Sequence, residues 1–260
     1  MIWNDFTYYA LVSVLLWSAG TAMLYLKASR ILSQGIIVSG MVVFSLFISL
    51  LWREQGYPPL RTIGETRLWY SLFILITGFI TYRRWKYKWL MGYSVMVSTV
   101  FILINILKPE IHFVNLMPAL QSKWFIPHVT VYIISYALMG AATITALAAF
   151  IKHKSSLSAR DPLVLLTDNL VYTGFAFLIA GILLGALWAK DAWGDFWTWD
   201  PKEVWAFITA AAYLLYIHCR VARYKINYTI LLIPLALILL IITWLGVEYL
   251  PAAQDSIHNY

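Results

Sequence analysis

Eight apolar runs, each about long enough to cross a hydrocarbon layer as a helix, decide what this chain of 260 residues can become. They lie near residues 8–26, 31–52, 68–82, 87–107, 128–151, 169–189, 202–219 and 227–247, the third being the shortest. A helix of about 20 apolar residues spans a bilayer core. Inside lipid every backbone N–H and C=O needs a partner within the protein, so such runs fold as helices. With 62% hydrophobic residues, 12% charged residues and a mean hydropathy of +0.74, a water-soluble domain is excluded. The expected fold is all-α, a polytopic membrane bundle of about eight helices forming one integral domain over residues 1–260.

Eight crossings put both termini on one side. The connections after the first, third, fifth and seventh runs hold Lys27, Arg30, Arg83, Arg84, Lys86, Lys88, Lys152, Lys154, Arg160, Arg220, Arg223 and Lys225, twelve of the nineteen basic residues. Asp161 and Asp168 are the acids on that face. The positive-inside rule assigns it to the cytoplasm, and both termini to the opposite side. The net charge of +7 is therefore a topology signal, and no nucleic-acid partner is expected. One cysteine, Cys219, rules out a disulfide framework or a cysteine-based metal site within one chain. No cleavable signal peptide is expected, because Met1 to Phe6 lacks a basic segment. The outward connections are the longer and more patterned ones. In the last of LMPALQSKWFIP, Pro127 is suited to open a helix that begins with His128. Gly181 and Gly185 form a GxxxG pattern in the sixth run, which points to close helix packing.

The stretch from Trp188 to Trp205, WAKDAWGDFWTWDPKEVW, holds five of the thirteen tryptophans and four carboxylates. Its second half reads as a helix start. Asp200 suits the N-cap, Pro201 the first helical position, and Glu203 the third, where it reaches back to complete a capping box. Capping is the main work expected of the two acids. Trp193, Trp197, Trp199 and Trp205 around Gly194 exceed what an interfacial belt requires, and they suit a large flat ligand at the membrane surface.

Two histidines share the outer face with this loop. His128 starts the fifth run, and His258 lies in the outer tail, residues 248–260. Neutral imidazole is a common metal ligand, although a single histidine at a helix end is more often an ordinary interfacial residue. His218 lies seventeen residues beyond Pro201, about 25 Å along a helix, towards the cytoplasmic end of the seventh run. An ionisable group at membrane depth is a functional candidate; the plainer reading is a neutral ring bonded to a neighbouring carbonyl. His153 reads as part of a solvated basic loop, and His112 has no assigned role. Tyr132 and Tyr136 follow His128 at one-turn intervals on the same helix face. Arg53, Arg61, Arg67, Lys123, Lys190 and Lys202 are outward cations able to meet ligand carboxylates, with none preferred.

WGDFWTWDPKEVW resembles the WWD signature of haem-handling proteins in cytochrome c maturation, and Asp200-Pro201-Lys202-Glu203 resembles the CcsA (ResC) family of system II. GYPPLRTIGETRLWYS, LMPALQSKWFIPHVTVYIISYA, GFAFLIAGILLGALWA and the ending Ile257-His258-Asn259-Tyr260 are similar to stretches of the same family, so the likeness runs from about Gly56 onward. The resemblance implies that His128 and His258 ligate the iron of haem b at the outer face, and that His218 serves a second, membrane-embedded haem position. It implies that Trp193, Gly194, Trp197, Trp199, Asp200, Pro201 and Trp205 form the haem platform. It further implies a haem-exporting subunit of a thioether-forming holocytochrome c synthase; the expected setting is a bacterial cytoplasmic (inner) membrane in preference to a thylakoid, with the WWD loop facing the periplasm or exterior. The implied partners are CcsB (ResB), an apocytochrome c carrying CxxCH, and a thiol reductant pathway. Two departures stand out. The tail commonly ends His-Ser-Tyr and here ends His-Asn-Tyr, and nothing in the chain resembles CcsB. The residues alone also allow a transporter for another amphipathic solute, or a scaffold without chemistry of its own.

Overall fold

A computed structural model describes residues 2–109, 122–152 and 157–251 of the chain. Among these residues there is no strand, and eight helical stretches are long and apolar enough to cross a membrane. They coincide with the eight predicted runs. The protein is all-helical and multi-pass. The long helices are α1 (Phe6–Tyr25), α2 (Arg30–Gln55), α3 (Ile63–Trp85), α4 (Lys88–Leu107), α5 (Phe125–Lys152), α6 (Pro162–Trp193) and α7 (Pro201–Val221). The eighth span is interrupted: α8 (Ile226–Thr229) and α9 (Leu232–Ile241) are followed by a π turn, Ile242–Gly246. Pro234 explains the break, since it has no N–H to give the Ile230 carbonyl and its ring crowds that carbonyl.

Helix starts depart from the apolar runs where polar caps extend them. α3 begins at Ile63 and not near residue 68 because Thr62 and Glu65 form a capping box. Thr62 Oγ1 accepts from the Glu65 N–H at 3.1 Å, and Glu65 Oε2 accepts from the Thr62 and Arg61 N–H groups at 3.1 and 2.7 Å. α6 begins at Pro162, seven residues before the predicted 169, because the Asp161 carboxylate accepts from the Leu163 N–H at 2.8 Å with proline at the first helical position. α5 opens at Phe125, so Pro127 sits inside its first turn, where no N–H is needed. α6 continues through Trp193, four residues beyond the predicted end. Its 32 residues are about 48 Å long at the standard rise.

The chain divides into two compact units, residues 1–115 and 116–260. In the first, α1–α4 pack around buried aromatic side chains, with Phe6 against Phe47 at 5.0 Å and Trp17 edge-on to Phe44 at 5.4 Å. In the second, α5 and α6 form the closest pair. Ser135 Oγ donates to the Gly174 carbonyl at 2.8 Å, and Thr167 Oγ1 donates to Thr145 Oγ1 at 2.8 Å. α7 meets the last span through Thr209 and Thr243, whose hydroxyls lie 2.9 Å apart.

At the end of this unit remote from the tryptophan loop, α6 and α7 share a buried ion pair. Arg220 Nε and Nη2 donate to the two Asp168 oxygens at 2.8 and 2.6 Å, and the Tyr216 hydroxyl donates to Oδ1 at 2.6 Å. The side chains of Arg220 and Asp168 are only 11% and 9% exposed. In the sequence these residues read as one basic and one acidic loop charge. Pairing removes one of each sign, so the basic excess of that face is unchanged. Removing one partner strands a buried charge at a cost of about 3–5 kcal/mol, whereas replacing both with apolar side chains of similar size is often tolerated. Asp168→Ala and Arg220→Ala should therefore each lower the thermal unfolding midpoint in detergent. The double change Asp168→Leu with Arg220→Met should lower it less than either single change; an additive loss would show that the pair does not act as a unit.

Candidate functional site

The start of α5 is tied to the end of α6. Ser122 Oγ accepts from the Trp124 N–H at 3.2 Å and donates to the Asp191 carboxylate at 2.6 Å. The His128 N–H then bonds the Trp124 carbonyl at 3.1 Å, which places the imidazole one turn into α5. The ring faces α6. Its Nδ1 lies 2.9 Å from the Gly181 carbonyl oxygen. A carbonyl only accepts, so Nδ1 carries the proton and Nε2 is the basic nitrogen of the neutral ring. The imidazole stacks on Trp188 (centroids 5.3 Å apart, planes at 30°) and meets Tyr132 edge-on at 4.7 Å. Tyr132 leads to Tyr136 at 5.6 Å, and Tyr136 to Trp244 of the π turn at 5.5 Å. Trp188 is almost fully buried between Phe125 and Trp193, with centroids at 5.1 and 4.8 Å.

The tryptophan stretch is half helix and half loop. Trp188 to Trp193 are the last turns of α6, and the irregular part is residues 194–200. Gly194 ends the helix in the left-handed region, φ +94°, with its N–H on the Lys190 carbonyl. That conformation favours glycine for want of a Cβ. Asp200 caps α7 as the sequence suggests, accepting from the Lys202 N–H at 3.2 Å. Glu203 completes the box and does more. Its Oε2 accepts from the Asp200 N–H at 3.1 Å, the Thr198 N–H at 2.8 Å and the Thr198 hydroxyl at 3.4 Å. It thus fixes the loop as well as the helix start.

Between these fixed ends Trp199 adopts φ +60°, a conformation rare for a bulky side chain and costing on the order of 1–3 kcal/mol. Its ring is 66% exposed, edge-on to Trp197 at 5.8 Å and to Phe207 at 6.3 Å. Phe196 and Phe207 are also largely exposed. Trp205 is partly buried, one turn into α7 behind Pro201.

His218 is exposed on α7, and its Nδ1 donates to the Leu214 carbonyl of its own helix at 2.9 Å. Its basic nitrogen, like that of His128, is therefore Nε2. His258, His112 and His153 lie outside the described residues. Of the residues singled out in the sequence, the fold brings His128 and Trp193 together through Trp188. It also joins Trp197 to Trp199, and caps α7 with Asp200 and Pro201. Trp188, the stacking partner of His128, is the site residue that sequence reasoning leaves out. The available signal is spacing: 181, 185 and 188 share one face of α6, as 128, 132 and 136 share one face of α5.

A family model described as cytochrome c assembly protein matches residues 6–253. The chain belongs to that family. Similar proteins within it include several named cytochrome c biogenesis protein CcsA, the family that the WWD-like stretch resembles. The one from Guillardia theta is 27% identical, over 99% of this chain and 95% of its own length. The one from Prochlorococcus marinus is 26% identical over 86% and 82%. The one from Chlamydomonas reinhardtii is 32% identical over 68% of this chain, a match spanning 54% of the algal protein.

The two acids of this CcsA-like loop separate on substitution. Asparagine also caps, so Asp200→Asn should leave α7 and the loop intact. Loss of a cap acceptor costs about 1 kcal/mol, and Glu203→Ala also releases the Thr198 donors. Glu203→Ala should therefore speed hydrogen exchange and proteolytic cutting across residues 194–200 while Asp200→Asn does not. Equal protection in both variants would mean that the loop is held by something other than Glu203.

Proposed function

We propose that the chain is the haem-handling subunit of a system II cytochrome c synthase. It takes up haem b, holds it beside the tryptophan loop and presents it for covalent attachment to the CxxCH motif of an apocytochrome c. Membership of the cytochrome c assembly family supports the coarse role, cytochrome c biogenesis. The observation that carries the finer reading is the His128 ring. It is held by the Gly181 carbonyl and stacked on Trp188 at the head of the tryptophan-rich stretch, with Nε2 as the basic nitrogen. Backbone bonding of Nδ1–H is the usual way a protein orients an imidazole for iron.

In this reading His128 supplies one axial nitrogen and His258 the other. The exposed faces of Trp199, Phe196 and Phe207 give the porphyrin, or the incoming polypeptide, an aromatic surface. Trp193 and Trp197 back that surface, Gly194 and the Asp200-Pro201 cap hold the loop at its ends, and Trp205 lies behind it. The contribution of these residues is placement. Ligation fixes the iron, and the platform sets the vinyl groups within reach of the two thiols, which replaces a bimolecular encounter by an oriented one. Each thiol then adds across one vinyl double bond. Sulfur bonds the inner carbon, hydrogen goes to the outer one, and no electrons leave the pair of reactants. The apocytochrome histidine takes over from one of the chain's imidazoles. A thiol reductant pathway keeps the cysteines reduced.

His218 belongs to an earlier stage. Its ring is exposed on α7 with Nδ1 engaged by Leu214, a disposition suited to an inner haem position whose opposite ligand comes from a partner subunit of the CcsB (ResB) kind. The proposed setting is a bacterial cytoplasmic membrane; the charge bias of the connections supports the orientation, with the tryptophan loop on the side away from the cytoplasm.

Absorption spectra of the reduced chain, co-purified with its partner, test the reading. A bis-imidazole haem spectrum should be present, and should weaken in both His128→Ala and His258→Ala. A spectrum indifferent to both changes would rule out the axial assignment. His218→Ala should lower the haem bound per protein several-fold without altering the axial spectrum of what remains.

A further inference from the structure

The GxxxG pattern of α6 fits general helix packing, yet its two glycines face two particular rings. α5 and α6 run antiparallel, with Gly185 opposite His128 and Gly181 opposite Tyr132. A Cβ on Gly185 would stand 2.6 Å from His128 Cε1 and 2.8 Å from Nδ1, distances that real Cβ atoms do not show. One on Gly181 would stand 3.0 Å from Tyr132 Cδ1. Neither neighbour is the loose end of a flexible side chain. The His128 ring is held by Trp188 on one face, by Tyr132 at its edge and by the Gly181 carbonyl at Nδ1. Gly174, farther along the same helix contact, is less tight: a Cβ there would meet Met139 Sδ and Cε at 3.1 Å, where a thioether chain can move aside, and Leu138 Cβ at 3.2 Å, a contact relieved by a few tenths of an ångström.

We propose that Gly185 and Gly181 are positioning residues for His128. Gly185 is the bare patch of helix against which the imidazole lies. Gly181 brings α6 close enough for its carbonyl to take Nδ1–H, which commits Nε2 to the iron. The bond also makes the ring a stronger donor. A more basic axial ligand favours ferric iron, so the seat tunes the potential of the bound haem as well as its orientation. The iron-facing half of this proposal rests on the reading of His128 given above; the placement of the ring does not.

The tautomer of His128 is the first measurement. The ¹⁵N-histidine-labelled chain is prepared haem-free with its partner subunit, and the His128 signals are assigned by their loss in His128→Gln. Protonated Nδ1 and unprotonated Nε2 are expected; the opposite tautomer would overturn the proposal, with no substituted glycine needed. In Gly185→Ala this pattern should be lost, and haem bound afterwards should show a raised reduction potential or an altered axial spectrum. Gly174→Ala should change neither. An unchanged ¹⁵N pattern and an unchanged potential in Gly185→Ala would overturn the proposal. A haem spectrum untouched by His128→Ala would overturn the ligand reading, and with it the iron-facing half, whatever the ¹⁵N pattern.

Discussion

The contact between α5 and α6 organises the second unit, and hydrogen bonds that side chains give to a neighbouring helix set its register. In hydrocarbon a polar side chain has no water to fall back on. Ser135 gives its hydroxyl proton to the Gly174 carbonyl, Thr167 bonds Thr145, and His128 gives Nδ1–H to the Gly181 carbonyl. Three such bonds along one contact allow a single alignment of the two helices. Sliding by one residue would break all three together. The imidazole at the tryptophan-loop end is thus part of the same ladder that holds the helices in place. The orientation of the ring thus comes from a contact whose first task is packing.

The tryptophan loop follows a complementary logic. It is short, and both ends are closed by backbone chemistry: the left-handed Gly194 on one side, and the Asp200–Glu203 box on the other. Glu203 accepts three hydrogen bonds with one oxygen. The strained backbone at Trp199 persists because its neighbours on either side are fixed. What the fixed ends present outward is a set of aromatic faces, Phe196, Trp199 and Phe207, while Trp188 is buried against Phe125, His128 and Trp193. One stretch of sequence therefore serves two purposes, its first half as packing for His128 and its second as an exposed surface.

Much of this was legible in the chain itself. The eight spans follow from length and apolarity, which decide a membrane crossing almost alone. The cap of α7 follows from three contiguous residues whose roles are local. The early starts of α3 and α6 were harder to see, because Thr62–Glu65 and Asp161–Pro162 extend helices into sequence that is not apolar. The seat of His128 was not legible. The spacing of Gly181 and Gly185 is common to many packed helices, and nothing in one helix says which neighbour it will face. Trp188 lies within the predicted sixth run, and it gains its role only because α6 packs on α5 in the register that carries the indole against the imidazole. The tail histidine, His258, lies outside the described residues, so the pairing that the resemblance implies is carried by the proposal and not by the geometry.

The Asp168–Arg220 pair has a consequence for how the chain is assembled. Its two members are 52 residues apart, and synthesis delivers them in order. When α6 has left the ribosome, Asp168 has no counterion, and its carboxylate is stable only beside water or lipid headgroups. Its burial waits until α7 has been completed to its last turn. Insertion of the sixth helix is therefore provisional until the seventh arrives, and the end of that helix pair remote from the tryptophan loop is the last part of it to close.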